Sequence, residues 1–240
     1  MSFKIIRILG FCFLLTGCAY FSRSTTEPVP PTSAYPAPDP EMVQQLDTYR
    51  DSLNDVMGRK VATVQDTLRF GKPEAALNNI VADALRFQAA STLRQFVHVG
   101  IIGEDSFKLF FVPGELTVGD VYEFMPYNNH LVVLSMNGEQ LKRLIEQVAE
   151  LGGAPISGVR FRIDENGEPN SILVNAEVIN SEAEYLVATS SWAVNGGDKF
   201  PVLWNVSDRT DLDLSIQDAY INYFRNQVEL TASTDGRIRK

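Results

Sequence analysis

Hydrophobic residues recur along most of the chain at spacings that predict interleaved helices and strands. Between residues 41 and 57, Val43, Leu46 and Leu53 fall near one face of a helix, and Gly58 follows as a stop signal. Helical spacing also predicts helices at 74–95, 116–124, 139–151 and about 214–227. Apolar runs and alternation predict strands at 60–67, 96–102, 130–136, 159–164, 171–174 and 184–189. Because the order lacks strict β–α–β regularity, the pattern predicts one α+β (mixed α/β) domain.

The N-terminus has the composition of an export signal. Lys4 and Arg7 precede an apolar run at 8–15, which is too short to span a bilayer. The run ends in Leu15-Thr16-Gly17-Cys18, which resembles a bacterial lipobox. We therefore expect 1–17 to be a lipoprotein signal peptide and Cys18 to be the lipidated residue. The alternative is an ordinary signal peptide with a chance cysteine.

The remaining segments divide by composition. Residues 18–40 begin with the cysteine and are rich in proline, which predicts an extended tether. A linker helix at 41–58, a folded domain at 59–230 and a polar tail at 231–240 follow. Position 19 is alanine rather than the aspartate that commonly retains lipoproteins at the inner membrane. We therefore expect a lipid-anchored envelope protein, at the outer membrane and facing the periplasm or the surface if the organism has two membranes.

Charge and cysteine content narrow the range of partners. The formal net charge is -9, and no basic stripe is present, which argues against a nucleic-acid partner. Of the 2 cysteines, Cys12 falls in the signal segment and Cys18 is the expected lipid site. The predicted mature domain therefore has no cysteine for a disulfide or a metal thiolate.

Four ordered segments resemble the C-terminal, substrate-binding domain of the 5'-nucleotidase and UDP-sugar hydrolase family. They read NNIVADALR (78–86), PGELTVGDVYE (113–123) running on to PYNN (126–129), MNGEQL (136–141) and ATSSWAVNGGDKFP (188–201). The last block is the most specific, because N-G-G-D after an aromatic residue is hard to obtain by chance. The matches fall within about 61–227, which is nearly the whole predicted domain.

The resemblance implies a nucleotide or nucleoside ligand held between two aromatic rings. It places Tyr127 and Trp192 as the stacking residues and Asp198 as the acceptor for ribose hydroxyls. Asn195, Gly196 and Gly197 complete the predicted binding block, with the glycines letting the backbone come close to the ligand. Three of these residues also have a structural interpretation: Trp192 could be a core aromatic, Tyr127 part of a packed turn, and Asp198 a turn residue that bonds its own backbone.

The sequence departs from the family where substrate phosphate would be bound. The family usually carries an N-G-G-x-I-R loop before the Pro113-Gly114 turn, whereas this chain reads HVGIIGED (98–105). The arginine is missing and two acids lie nearby, so the site looks poorly built for an anionic phosphate. Lys72 or Lys108 could partly substitute.

The catalytic part of the family pattern is also missing from the sequence. In the family, a separate N-terminal domain holds two metal ions through D-x-H and G-N-H-[DE] motifs, and neither motif occurs in this chain. The chain has 2 histidines, His98 and His130, and both are expected to be structural rather than metal ligands. No Ser–His–Asp order or Walker-type loop offers another chemistry. We therefore expect no catalytic residue, metal or cofactor in this chain and no hydrolysis by it alone.

Three hypotheses for function remain open at this stage. The first is the recognition half of a 5'-nucleotidase-type hydrolase in nucleotide catabolism. It acts with a separately encoded metallophosphoesterase, which carries two divalent metals and docks on the helix at 41–57. The second is an envelope lipoprotein that binds nucleosides or related sugars without cleavage. The third is a relic domain kept as a scaffold.

Overall fold

The computed structural model describes residues 39–240, and Tyr49–Lys240 form one compact unit. Residues 39–48 belong to the preceding unit, and most of them form the first part of helix α1. The helices are α1 Pro40–Met57, α2 Ala76–Leu93, α3 Val118–Phe124, α4 Gly138–Glu150, α5 Ser191–Val194 and α6 Ile216–Gln227. The strands are β1 Lys60–Val64, β2 Val99–Ile101, β3 Gly114–Thr117, β4 His130–Asn137, β5 Ile156–Ser157, β6 Val159–Ile163, β7 Pro169–Val174, β8 Glu177–Val178, β9 Glu184–Ser190, β10 Arg209–Ser215, β11 Glu229–Leu230 and β12 Ile238–Arg239. Short 3-10 turns lie at Glu104–Ser106 and Pro201–Asn205. Within 39–240, no helix has the length and apolarity needed to cross a membrane.

A mixed five-stranded sheet, in the order β10-β4-β9-β2-β5, forms the centre of the compact unit. Strand β4 pairs antiparallel with both β10 and β9, and β9 pairs parallel with β2. Side chains alternate along β4, so that Leu131 and Val133 enter one hydrophobic cluster while Val132 and Leu134 enter another. The continuous apolar run of β4 therefore reflects a strand that is buried on both faces.

Helices cover both faces of this sheet. On one face, α2 contributes Leu77 and Leu85, and α6 contributes Tyr220 and Phe224, to the first cluster. On the other face, the strongly amphipathic α4 buries its apolar stripe, including Leu144, in the second cluster. Two smaller sheets, β11-β1-β3 and β12-β6-β7-β8, complete the fold.

Capping boxes fix where two of the helices that follow strands, α3 and α4, begin. Thr117 accepts a hydrogen bond from the backbone of Asp120, whose carboxylate accepts from the Thr117 backbone. Asn137 and Gln140 exchange the same pair of bonds at the start of α4. Such caps satisfy backbone donors that the first turn leaves without partners, and each contributes about 1 kcal/mol.

The predicted α+β class is confirmed, with four differences of detail. The helix predicted at 116–124 begins at Val118, because Leu116 and Thr117 still pair in β3 with β1. The strands β3, β5, β8, β10, β11 and β12 and the short helix α5 were not predicted from the sequence. The strand predicted at 96–102 is shortened to β2. The segment 231–240 is not a separate polar tail, since Ile238 is buried in the second cluster and β12 pairs with β6.

The predicted signal peptide, Cys18 and nearly all of the 18–40 tether lie outside the described residues. The predicted linker helix at 41–58 corresponds to α1, in which no residue is buried.

Candidate functional site

Three loops meet at one edge of the central sheet. Strands β2 and β9 are parallel, with Gly100 opposite Ala188, so their carboxyl ends share this edge. Strand β4 runs the other way, with Leu131 opposite Ser190, so its amino end lies there too. The loops 102–106, 125–129 and 191–200 therefore emerge together. In open α/β sheets, ligands bind beyond the carboxyl ends of strands, which makes this edge the candidate site.

Trp192 lies at this edge with one face of its indole ring covered. Ser190 caps helix α5 by accepting a hydrogen bond from Ala193 N at 3.1 Å, which turns the chain so that Trp192 is 49% exposed. A Cβ atom on Gly197 would lie 2.0 Å from Cδ2 and Cε2 of Trp192, so the Gly197 backbone rests on the ring. Gly196, with φ at 95°, turns the chain into this contact. Trp192 is therefore a surface residue rather than a core aromatic.

Tyr127 lies in the loop that precedes β4 and is 39% exposed. Its carbonyl oxygen accepts hydrogen bonds from Gln217 Nε2 at 2.6 Å and from Asn129 N at 2.9 Å, which anchors the loop to α6. Lys108 Nζ lies 5.2 Å from the centre of the Tyr127 ring. Tyr127 and Trp192 thus share the sheet edge, but their rings make no mutual contact within the described residues. Their role as a two-sided clamp stays a prediction.

Asp198 is buried against the loop after β2. Its Oδ2 accepts a hydrogen bond from Gly103 N at 2.9 Å, and a Cβ on Gly103 would lie 2.0 Å from Oδ1. The turn-residue interpretation of Asp198 is therefore wrong, since its bonded partner is 95 residues away. Burial raises the pKa of Asp198, the Gly103 hydrogen bond lowers it, and the neighbouring Asp105 raises it again.

The surroundings of Asp198 carry more acids than bases. Glu104 and Asp105 occupy the positions where the resemblance implies an arginine-bearing loop. Lys199 Nζ pairs with Asp105 at 2.7 Å, and this contact raises the pKa of Lys199. A cavity of about 60 Å³ lies between these residues and Lys72, whose ammonium donates to Leu151 O. A cavity of this volume has room for a few water molecules but not for a nucleoside, so a ligand base would have to lie on the open surface beside Trp192.

Sequence reasoning missed a polar network that supports the Trp192 loop. Arg209 donates from Nη1 to Asn195 Oδ1 at 2.9 Å and from Nε to Asp211 Oδ2 at 2.8 Å. Asp211 also meets His130 Nε2 at 2.6 Å. Arg209 lowers the pKa of Asp211, with a smaller contribution in the same direction from His130. Asn195 is thus held by β10, a strand whose polar alternation was not recognised in the sequence.

The two histidines have structural partners. His98 Nδ1 accepts a hydrogen bond from Leu186 N at 3.0 Å, and its ring packs edge-on against Tyr185. His130 pairs with Asp211 at the start of β4. Over residues 39–240, no group of three or more His, Cys, Asp or Glu side chains is arranged to hold a metal ion. The donor sets needed for two-metal phosphoester cleavage are therefore not assembled in the described part of the chain.

Comparisons with known proteins agree with this architecture. Residues 57–204 match the family model described as 5'-nucleotidase, C-terminal domain. The trifunctional nucleotide phosphoesterase protein YfkN of Bacillus subtilis is 26% identical over 237 residues, covering 88% of this chain and 16% of that protein. The NAD 5'-nucleotidase of Haemophilus influenzae is 26% identical over 152 residues, covering 53% of this chain and 25% of that protein. The chain spans no more than a quarter of the length of these two relatives.

Solved structures show the same fold. The 5'-nucleotidase precursor from Thermus thermophilus superposes with a TM-score of 0.68 at 23% identity, covering 82% of this chain and 42% of that chain. The NAD nucleotidase of Haemophilus influenzae gives a TM-score of 0.61 at 19% identity, covering 84% of this chain and 42% of that chain.

Proposed function

Because the chain belongs to the family of the 5'-nucleotidase C-terminal domain, we propose that its folded unit recognises the nucleoside part of a nucleotide or nucleoside. The observation that carries the proposal is Trp192, a half-exposed indole backed by Gly197 at the edge where three loops meet. Backing by the loop removes water from one ring face and leaves the other face for a planar base. Asp198, whose Oδ2 is bonded to Gly103, keeps further acceptor capacity for a sugar hydroxyl.

In this proposal the chain is the recognition half of a 5'-nucleotidase-type hydrolase system in nucleotide catabolism. A separately encoded metallophosphoesterase supplies the two divalent metals and the cleavage step. The exposed apolar residues of α1 support a docking role, since Leu53 and Val56 are each 42% exposed. The anchor in this proposal is the lipidated Cys18, which holds the chain at the cell envelope, in the outer membrane where two membranes exist.

A second candidate, a lipoprotein that binds neutral nucleosides without cleavage, is favoured by the charges around Asp198. Asp198, Glu104 and Asp105 surround the candidate sugar position, while Lys199 is already paired with Asp105. A phosphate group placed there would meet carboxylates rather than the guanidinium that usually binds it.

Titration calorimetry with adenosine, AMP and a uridine diphosphate sugar tests ligand recognition. If Trp192 stacks on the base, Trp192→Ala weakens binding tenfold to a hundredfold, corresponding to about 1–3 kcal/mol per stacked base. Trp192→Phe keeps a flat ring and has a mild effect. Trp204→Ala is the matched control, since Trp204 is 45% exposed. Absence of binding by all three ligands, or equal losses in the two alanine variants, contradicts the proposal. Tighter binding of AMP than adenosine favours the nucleotide form, and the reverse favours the neutral-ligand form.

Co-purification tests the partner. A signal-bearing metallophosphoesterase encoded beside this chain should be retained by the wild-type protein and lost with Leu53→Glu. Ser52→Glu, an exposed change on the same helix, should leave retention intact. Failure of such a phosphoesterase to associate with the wild-type chain counts against the split-enzyme proposal and leaves ligand recognition to be judged by calorimetry.

A further inference from the structure

A second cavity lies away from the three loops of the nucleoside site. It has a volume of about 520 Å³, which falls within the range of small-ligand pockets. Its walls are the middle of α2, the segment 157–160 across β5 and β6, the end of β7 and the C-terminal segment around Arg237. None of the residues 102–106, 125–129 or 191–200 lines it.

An ion pair between Arg237 and Asp83 forms part of the cavity wall. Arg237 is buried, and its two terminal nitrogens face the two carboxylate oxygens of Asp83 at 3.0 and 3.1 Å. Arg237 Nε also donates to Asp235 Oδ1 at 3.0 Å. Such forked arrangements fix both groups in orientation. The guanidinium of Arg237 is therefore occupied by bonds within the protein, and it forms a rigid part of the cavity wall.

Arg86 is a half-buried cation of this cavity whose hydrogen-bonding capacity the protein uses only in part. Its Nε donates to Ser157 Oγ at 2.8 Å, and Ser157 in turn donates to Asp83 Oδ1. The guanidinium carbon lies 4.8 Å from the centre of the Phe87 ring. Arg86 as a whole is half-buried, and within residues 39–240 no acceptor is hydrogen-bonded to either of its Nη groups.

The electrostatic environment of Arg86 favours an added anion. Burial lowers the pKa of Arg86, Asp83 raises it, and the nearby Arg237 lowers it. The lining contains three arginines (86, 160 and 237) and two aspartates (83 and 235), which leaves one positive charge. This excess is local, because the whole chain has a formal charge of -9.

We propose that this cavity binds a small ligand through a phosphate or carboxylate group held by the Nη groups of Arg86. The planar guanidinium matches such oxyanions with two parallel hydrogen bonds. Asn175 and the Arg160 guanidinium lie in the same lining and give polar contacts to the body of the ligand. Val159 and Leu173 add an apolar wall, so the ligand has a short organic part beside its charged group.

Thermal shift and calorimetry on the full chain test this site with inorganic phosphate, glycerol 3-phosphate, malate and uncharged glycerol. At least one oxyanion should bind at millimolar concentration or better, and glycerol should not. Arg86→Gln should weaken this binding tenfold to a hundredfold, as expected for charge-assisted hydrogen bonds. The matched control is Arg162→Gln, an exposed change that lies on β6 but outside the cavity. The order of affinity among the three anions distinguishes a phosphate site from a carboxylate site.

A second measurement uses only wild-type protein, in case Arg86→Gln does not fold. Phenylglyoxal modification of Arg86, followed by peptide mass spectrometry, should slow when the bound anion is present, while modification of Arg162 should not. Trp192→Ala should leave anion binding unchanged, which separates this site from the nucleoside site. Absence of binding by all three anions, or binding that neither depends on Arg86 nor protects it, overturns the proposal.

Discussion

At the scale of single residues, the candidate site depends on two glycines that allow close approach. Gly197 places its backbone on the Trp192 ring, and Gly103 places its N–H against the Asp198 carboxylate. Neither contact leaves space for a methyl group. The sequence singled out Gly197 because it belongs to the N-G-G-D block, whereas Gly103 stood in a stretch noted only for its missing arginine.

Gly197→Ala should displace the Trp192 ring without unfolding the protein. The added Cβ would lie 2.0 Å from ring atoms, so the ring must move, and its 49% exposure lets it swing into solvent. We expect a loss of unfolding free energy at or below the low end of the about 1–3 kcal/mol typical of overpacking. Tryptophan emission in a Trp204→Phe background reports the ring movement. Gly119→Ala, where the nearest atom lies at 3.4 Å, is the control and should leave emission unchanged. Unaltered emission in Gly197→Ala contradicts the contact.

Asp198→Asn should change how stability depends on pH. The pKa of Asp198 is raised above 3.8, chiefly by burial, so the native state holds this proton more tightly than the unfolded chain does. Its contribution to stability therefore falls as the pH rises from 3.8 through the folded pKa. Asparagine keeps an oxygen for Gly103 N–H and carries no charge. Denaturant unfolding should show that the free energy of unfolding of the variant rises relative to that of the wild type over this pH interval. The difference should persist at neutral pH. If the variant instead becomes less stable than the wild type as the pH rises, the folded protein stabilises the Asp198 carboxylate as an anion.

At the scale of elements, the C-terminal segment is part of the fold through strand β12 and Arg237. Its charged composition resembled a solvated tail, because a two-residue strand and a single buried arginine leave no periodic pattern. The ion pair it forms joins residues separated by 154 positions, which no local rule detects.

Arg237→Ala should destabilise the protein strongly. The Arg237 and Asp83 side chains are 11% and 22% exposed, so the variant removes both guanidinium hydrogen bonds from a largely buried carboxylate and leaves it the bond from Ser157. Breaking such a pair costs about 3–5 kcal/mol. Chemical denaturation should show this loss, whereas Arg239→Ala, an exposed change two residues later, should stay within about 0.5 kcal/mol of the wild type. The double variant with Asp83→Ala should lose less than the sum of the single variants, since the two groups interact. Additive losses would argue against the pair.

The contrast between local periodic patterns and nonlocal contacts explains how much of the architecture the sequence could predict. Helices such as α2 and α4 were found because their apolar residues repeat at helical spacing over many positions. Strand β10 was missed because its only apolar residues are two leucines, which alternate with the exposed Asp211 and Asp213. The meeting of Tyr127, Trp192 and Gly103 at one edge depends on strand register, which nonlocal pairing sets. Motif resemblance could therefore name Tyr127 and Trp192, but only the sheet shows that their loops emerge together.

At the scale of the whole molecule, charge is distributed unevenly over an acidic chain. The loops around Asp198 collect carboxylates, while the cavity beside Arg86 carries a positive excess. We therefore proposed a ligand with a neutral sugar for the first region and an oxyanion for the second. Because the two regions are separate, phosphate binding by the protein would not by itself show that a nucleotide binds beside Trp192. Both binding tests therefore need variants that affect only one site.

Membrane attachment of the whole chain should depend on Cys18. If the lipobox interpretation is correct, acyl chains on this residue hold the protein to the bilayer, and more than one chain is needed for stable anchoring. Cys18→Ala should then leave an uncleaved precursor or a soluble protein. Globomycin, which inhibits lipoprotein signal peptidase, should cause the wild-type precursor to accumulate. Cys12→Ala changes the other cysteine, within the expected signal segment, and should be processed and fractionate with membranes like the wild type. Mass spectrometry of the mature N-terminus measures the lipid directly. A Cys18→Ala protein that is still cleaved and recovered with membranes would show that the anchor lies elsewhere.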